Sequence, residues 1–237
     1  MNEKPTPLTA LFDYRGALLD LAATLREKGE CDEAIFILER ASSHYPVLPE
    51  VHMRLAEALS EAQRWADAEA AALRAVELDS DHEAALLVYV NCLTAQSNSA
   101  EAVAVLRQAL ERRPSWARAR IRLIELLHER KQFTEVITLG QELFTGEFKW
   151  DIAGHVGTAY LAIGESERAQ TCLNELIYSG AATIEAIVQV ADSLAELGAA
   201  EQAINLLTGL IKNGQNTAQV VLGLEKILSN NGAAPDA

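Results

Sequence analysis

Residues 155–173 read HVGTAYLAIGESERAQTCL. Gly157, Tyr160, Gly164, Ala169 and Leu173 stand at intervals open to three readings. One is a glycine loop that cradles phosphate, another is a hinge, and the third is the ordinary punctuation of a helical pair. A phosphate loop needs a preceding strand and a Gly-Lys-[Ser/Thr] ending, and neither is present. The decision comes from the rest of the chain, because the stretch repeats. Ala169 opens AQTCLNEL and Ala203 opens AINLLTGL, 34 residues later. Ala34, Ala68 and Ala102 open AIFILERA, AEAAALRAV and AVAVLRQAL, again 34 apart. Val136 fills the slot between, 34 after Ala102 and 33 before Ala169. Self-similarity at one fixed period is the mark of a repeat architecture.

The rest of each unit keeps the same phase. Thirteen residues before each marker comes an apolar residue: Leu21, Leu55, Tyr89, Leu123, Val156 and Val190. A small residue often follows, as Ala22, Ala56, Gly157 and Ala191. A second apolar residue comes next: Leu25, Leu59, Leu93, Leu127, Tyr160 and Leu194. Gly29, Gly164 and Gly198 then mark a turn. Ala41, Ala75 and Ala109 recur after the marker, and Pro46 and Pro114 close two units. Apolar residues at i, i+3 or i+4, and i+7 in each half give helix spacing. Glycine between the halves suits a helix end, where positive φ is needed. Each unit therefore reads as helix–turn–helix.

This pattern resembles the tetratricopeptide repeat (TPR). Six units are assigned: 15–48, 49–82, 83–116, 117–149, 150–183 and 184–217. The resemblance implies an all-α fold, a right-handed α-solenoid of antiparallel helix pairs. Residues 1–14, with Pro5 and Pro7, are expected to be a mobile N-terminal segment, with Thr9 a plausible helix cap. Residues 218–230 carry Val220, Val221, Leu224, Ile227 and Leu228 on one face. They are expected to form a capping helix over the last apolar surface, with Thr217 as its cap. Residues 231–237 are expected to be a disordered tail.

The fourth unit departs from the pattern. It carries Ile124 in the small slot, Val136 for Ala, Gly140 where a large residue is usual and Leu143 for Ala, and it is one residue short. A helix-interior glycine costs on the order of 1 kcal/mol against Ala. Two readings stand open, compensating volumes or a joint near FTGEFKWD.

Composition limits what such a chain does. Hydrophobic residues make up 49% and aromatics 5%, with six prolines and 13 glycines, a balance that suits packed helices. The net charge of −14 disfavours binding to phosphate backbones, so no nucleic-acid partner is expected. Residues 106–149 are the basic exception between two acidic flanks. Three widely spaced cysteines, Cys31, Cys92 and Cys172, fit a reducing compartment better than a disulfide framework. No apolar run is long enough to cross a bilayer and the start does not read as a signal peptide, so no membrane partner and a cytoplasmic location are expected.

By the resemblance, the first helix of each unit lines a concave groove, with positions 2, 5, 9 and 12 facing in and position 6 on the flank. The candidate partner-binding residues are Arg54, Glu57, Asn91, Arg118, Arg122, Glu125, His128, Asp151, His155, Gln189 and Asp192. Some members of the family clamp a partner's C-terminal carboxylate with a Lys/Asn/Asn/Lys/Arg set. Here the matching places hold Met53, Glu57, Val88, Arg118 and Arg122, so only the last two fit and that clamp is not expected. Arg118 and Arg122, four apart on one helix face, form either an anion-seeking patch or a solvated face balanced by Glu125 and Glu129. His128 and His155 both approach the groove, but a metal site wants three or four converging ligands, so no metal and no cofactor are expected. No nucleophile–base signature appears, and no catalytic residue is assigned. The expected function is a non-catalytic protein-interaction module that binds an extended or helical segment of another protein. A self-associating scaffold and a regulator of a secretion or envelope assembly machine remain alternatives, and the chain is a possible homo-oligomer.

Overall fold

The structure is a computed structural model that describes residues 7–143, 149–179, 184–214 and 217–232. Among the described residues every regular element is a helix. They are α1 (Pro7–Glu27), α2 (Cys31–His44), α3 (Pro49–Glu61), α4 (Trp65–Leu78), α5 (Glu83–Ala95), α6 (Ser99–Arg112), α7 (Ala117–Glu129), α8 (Phe133–Leu143), α9 (Lys149–Ala162), α10 (Ser166–Ser179), α11 (Ile184–Glu196), α12 (Ala200–Lys212) and α13 (Ala218–Gly232). The chain divides into two compact units, Met1–Ala119 and Arg120–Ala237. In the first, successive helices from α1 to α6 pack on one another, and α3 also touches α1 and α5. In the second, α8 packs on α9, α9 on α10, α11 on α12 and α12 on α13. There α11 also touches α9 and α13, and α10 touches α12. Packing thus reaches the next helix or the next but one.

The marker residues explain how closely the helices approach. Ala34, Ala68, Ala102, Val136, Ala169 and Ala203 are all at most 1% exposed. A small side chain there lets the second helix of a pair lie close against its neighbours, where larger residues such as Leu38, Leu106 and Leu206 fill the space beside it.

The turn inside each pair has one geometry, repeated. Gly29, Gln63, Ser97, Lys131, Gly164 and Gly198 all have positive φ, from 58° to 86°. The residue after each donates its N–H to the carbonyl five residues back: Glu30 to Leu25, Arg64 to Leu59, Asn98 to Leu93, Gln132 to Leu127, Glu165 to Tyr160 and Ala199 to Leu194, at 2.8–2.9 Å. This is the Schellman closure of a helix C-terminus. The residue that closes the first helix also opens the second: Glu30 accepts from the N–H of Ala34, and Arg64 from that of Ala68. One residue therefore serves two helix ends, without a side-chain cap at Glu30, Arg64, Asn98 or Ala199.

Two boundaries differ from the sequence reading. The first helix begins at Pro7, ahead of Thr9, so residues 7–14 belong to α1 and not to a separate segment. Proline at a helix start loses nothing, because its missing N–H would have no intrahelical partner there. The last helix extends to Gly232, two residues past the expected end. Residues 1–6, most of FTGEFKWD and residues 233–237 lie outside the described residues.

Three departures of the fourth unit, Ile124, Val136 and Gly140, are placed by the structure, while the Leu143 side chain lies outside the described residues. Ile124 and Val136 are fully buried, so the bulk they add is inside. At Gly140 a Cβ would overlap Cγ2 of Val156 on α9, closer than packed atoms allow. The side chain that Gly140 lacks is supplied by its neighbour.

Gly140→Ala is therefore expected to destabilise the chain despite a gain of about 1 kcal/mol in helix propensity, because overpacking costs about 1–3 kcal/mol. Urea unfolding of the two proteins measures the sign. Conversely, a non-glycine residue with left-handed backbone pays about 1–2 kcal/mol in local sterics. Replacing Gln63, Ser97 and Lys131 with glycine, one at a time, is expected to raise the denaturation midpoint, through a gain of about 0.5–1 kcal/mol in unfolding free energy each after the entropy cost of glycine. A fall at all three would show that their side chains matter more than the turn.

Candidate functional site

The first-helix faces carry the candidate residues, and the structure sorts them into engaged and unengaged groups. In the first unit, Arg26 of α1 reaches across to α3. Its Nη1 donates to Oε2 of Glu57 at 2.7 Å, and its Nε donates to Oε2 of Glu61 at 2.9 Å. The hydrogen bond from Arg26 holds the Glu61 carboxyl below the ordinary carboxylate range. Arg54 lies beside the same group, 3.4 Å from Glu57 and 3.9 Å from Glu50. Glu57 is thus committed to two arginines. Met53, which the repeat register also assigns to this face, is only 7% exposed and packs with Ala75, Ala85 and Val88. Asn91 on α5 and Arg118 on α7 are exposed, and among the described residues their side chains have no bonded partner.

In the second unit, Nη1 of Arg122 donates to Oε2 of Glu125 at 2.7 Å, one turn along the same helix. Of the two arginines that share this face, one is therefore occupied by a carboxylate and the other, Arg118, is exposed. Another basic residue of the same stretch is also engaged: both Nε and Nη2 of Arg113 bond Asp81. Asp192 on α11 accepts from Nζ of Lys226 on α13 at 3.0 Å, so it ties the last helix to its neighbour. Gln189, on the same helix, is exposed. Asp151 lies on α9, and its side chain is outside the described residues.

His128 and His155 do meet. Their ring centroids are 5.0 Å apart in an edge-to-face arrangement, and His128 also stands edge-on to Phe133 at 5.7 Å. Nε2 of His128 lies 2.6 Å from Oγ1 of Thr158, a side chain 1% exposed. The Thr158 hydroxyl is also 3.0 Å from the carbonyls of Gly154 and His155, to which it donates. With its own proton committed, the hydroxyl accepts from Nε2–H of His128. Burial, with His155 adding to it, lowers the His128 pKa to about 4. Burial also lowers that of His155, against the opposing pull of Glu125 and Glu129.

No group of three or more metal-ligating side chains occurs among the described residues. Cys92 is buried beside the Ser60 hydroxyl at 3.4 Å, and burial pushes its thiol up, away from the reactive thiolate. No described helix is long and apolar enough to cross a membrane.

Sequence reading missed Arg26 and Lys226 as the partners of Glu57 and Asp192. A signal was present: these pairs are 31 and 34 residues apart, about one period, so their opposite charges meet between α1 and α3 and between α11 and α13.

Family models of the tetratricopeptide repeat match residues 25–88, 93–143 and 153–229, together most of the chain. No curated protein matches the sequence. Among solved structures, a tetratricopeptide repeat protein of Parabacteroides merdae is similar, at 18% identity over 95% of this chain and 87% of that one, with a TM-score of 0.65. The Pseudomonas aeruginosa protein pilF is similar at 16% identity, over 92% of this chain and 98% of its own, with a TM-score of 0.66. YrrB, described as a TPR protein with an unusual peptide-binding site, is 14% identical over 68% of this chain and 83% of its own, with a TM-score of 0.55. At these identities the likeness is one of fold.

Thr158→Val keeps the side-chain shape and removes the acceptor of the His128 proton. It is expected to cost about 1–3 kcal/mol, the penalty for leaving a buried polar group without a partner. A thermal or urea denaturation series with Thr158→Ser as the control measures it, the serine retaining the hydrogen bond.

Proposed function

The chain belongs to the tetratricopeptide repeat family, and we propose that it is a non-catalytic interaction module that holds a segment of another protein against its first-helix faces. The family supports the broad reading of a protein-interaction scaffold. One observation carries the finer one. On these faces most charged candidates are spent on intramolecular ion pairs, whereas Asn91, Arg118 and Gln189 stay exposed. A partner then meets polar groups that it does not have to strip from an existing bond. An asparagine or glutamine side chain both donates and accepts, which suits pairing with the main chain of an extended segment. Arg118 suits a carboxylate, which a guanidinium binds through two parallel hydrogen bonds. The acidic remainder of the chain favours basic residues elsewhere in the same partner, through steering and not through tight contact.

Site-specific photocrosslinking tests the reading. A photoreactive side chain is placed in turn at Asn91, Arg118 and Gln189, and at the second-helix positions Leu73 and Thr171, which are also exposed. The expected result is one partner protein captured from the first-helix positions and not from the other two. Equal capture from both sets would defeat the face assignment. Capture of only a second copy of this chain would replace it with self-association.

A further inference from the structure

We propose that His128 and His155 form a proton-operated latch between α7 and α9: uncharged, the two rings pack together and hold the helices; charged, they drive them apart. The inference stands apart from the binding proposal, since it concerns how the second unit keeps its own helices in place.

The geometry leaves the pair little room for charge. The rings meet edge to face with centroids 5.0 Å apart and planes at 62°. That contact suits two neutral rings, where the edge of one meets the π face of the other. It opposes two imidazolium ions, which repel at this separation in a partly desolvated place. His128 is fixed further by Phe133 at the start of α8 and by Thr158 on α9. Because the Thr158 hydroxyl spends its proton on a main-chain carbonyl, His128 carries its own proton on Nε2. Acid must therefore add the second proton at Nδ1.

The surroundings fix the order of events. From α7 the charged groups that bear on the pair are Glu125 and Glu129. Glu125 is held by Arg122 at 2.7 Å, which offsets part of its charge. From α8 the contact is Phe133, and from α9 it is Thr158, neither of them charged. The two carboxylates favour the first proton on His155. That charge then resists a proton on His128, so uptake occurs in two coupled steps.

The sign follows. Both histidines have pKa values below the ordinary 6.5 in the folded chain, His128 at about 4. Between those values the unfolded chain binds more protons than the folded one. The stability that the pair contributes is complete above pH 6.5 and is lost as pH falls toward 4. Most carboxylates keep their charge in the upper half of that window.

The test uses the full chain. Imidazole NMR from pH 8 to 3 is expected to show His128 as the Nε2–H tautomer, with both resonances titrating below 6.5. Amide exchange, corrected for the intrinsic effect of pH, is expected to show α7 and α9 losing protection by about tenfold between pH 7 and 5. His128→Gln with His155→Gln should lose that dependence. His155→Phe keeps a ring in place and removes one titrating partner. It should raise the His128 titration, and this remains readable even where the double variant fails to fold. Titration of both histidines at 6.5 would overturn the latch, and so would protection that falls equally in wild type and double variant.

Discussion

The fold hangs on one backbone constraint. A residue with left-handed backbone follows the first helix of every pair, and the next N–H reaches five residues back to close that helix. The accepting carbonyl belongs to the same apolar residue each time, and from Leu59 onward its side chain is buried. Position, direction and burial are thus set together: the bond ends the helix, the positive φ reverses the chain, and the apolar side chain sits under the reversal. If that turn took ordinary right-handed geometry, the second helix would continue the first and its marker residue would have no neighbour to meet. The close packing of Ala34, Ala68, Ala102, Val136, Ala169 and Ala203 follows from the turn.

Most of this was legible in the sequence, because repetition turns weak local signals into a strong one. A single Leu or Ala carries little information; six in phase fix the helix pairs. The limits of that legibility are physical too. Only Gly29, Gly164 and Gly198 announce the turn by residue type. Gln63, Ser97 and Lys131 hold the same conformation at a local cost that the surrounding contacts outweigh. Gly140 looked like a loss in a helix, and only the position of Val156 shows that the space is filled from the other side. The start of α1 at Pro7 escaped the reading because a proline-containing terminus has the composition of an unstructured one.

The candidate site was legible as a set of positions but not as a set of states. Register alone placed Glu57, Arg122 and Asp192 on the first helices. Whether each is available depends on partners about a period away, or one turn away, in a geometry that sequence does not specify. Arg26, Glu125 and Lys226 settle the matter by binding them. The charge of a face is then a poor guide to what it offers, since much of it is already neutralised internally. What stays exposed among the candidates is sparse: Asn91, Arg118 and Gln189. The His128–His155 contact shows the same limit. Each residue was assignable to the groove, yet their mutual approach and the anchoring by Thr158 belong to the packed helices alone.

The reach of packing has a consequence for how the chain is made. Within each unit, helices touch the next one or the next but one. Nothing in that scheme asks an early helix to wait for a distant partner, so little loop-closure entropy stands in the way of ordering. As the polypeptide leaves the ribosome, each new helix finds a surface already in place. The apolar stripe of an emerging helix is exposed only for the time taken to synthesise its successor, at about 5–20 residues per second. Within a unit, a lesion in one pair during synthesis is passed to its neighbours through shared surface, and falls off with distance along that unit.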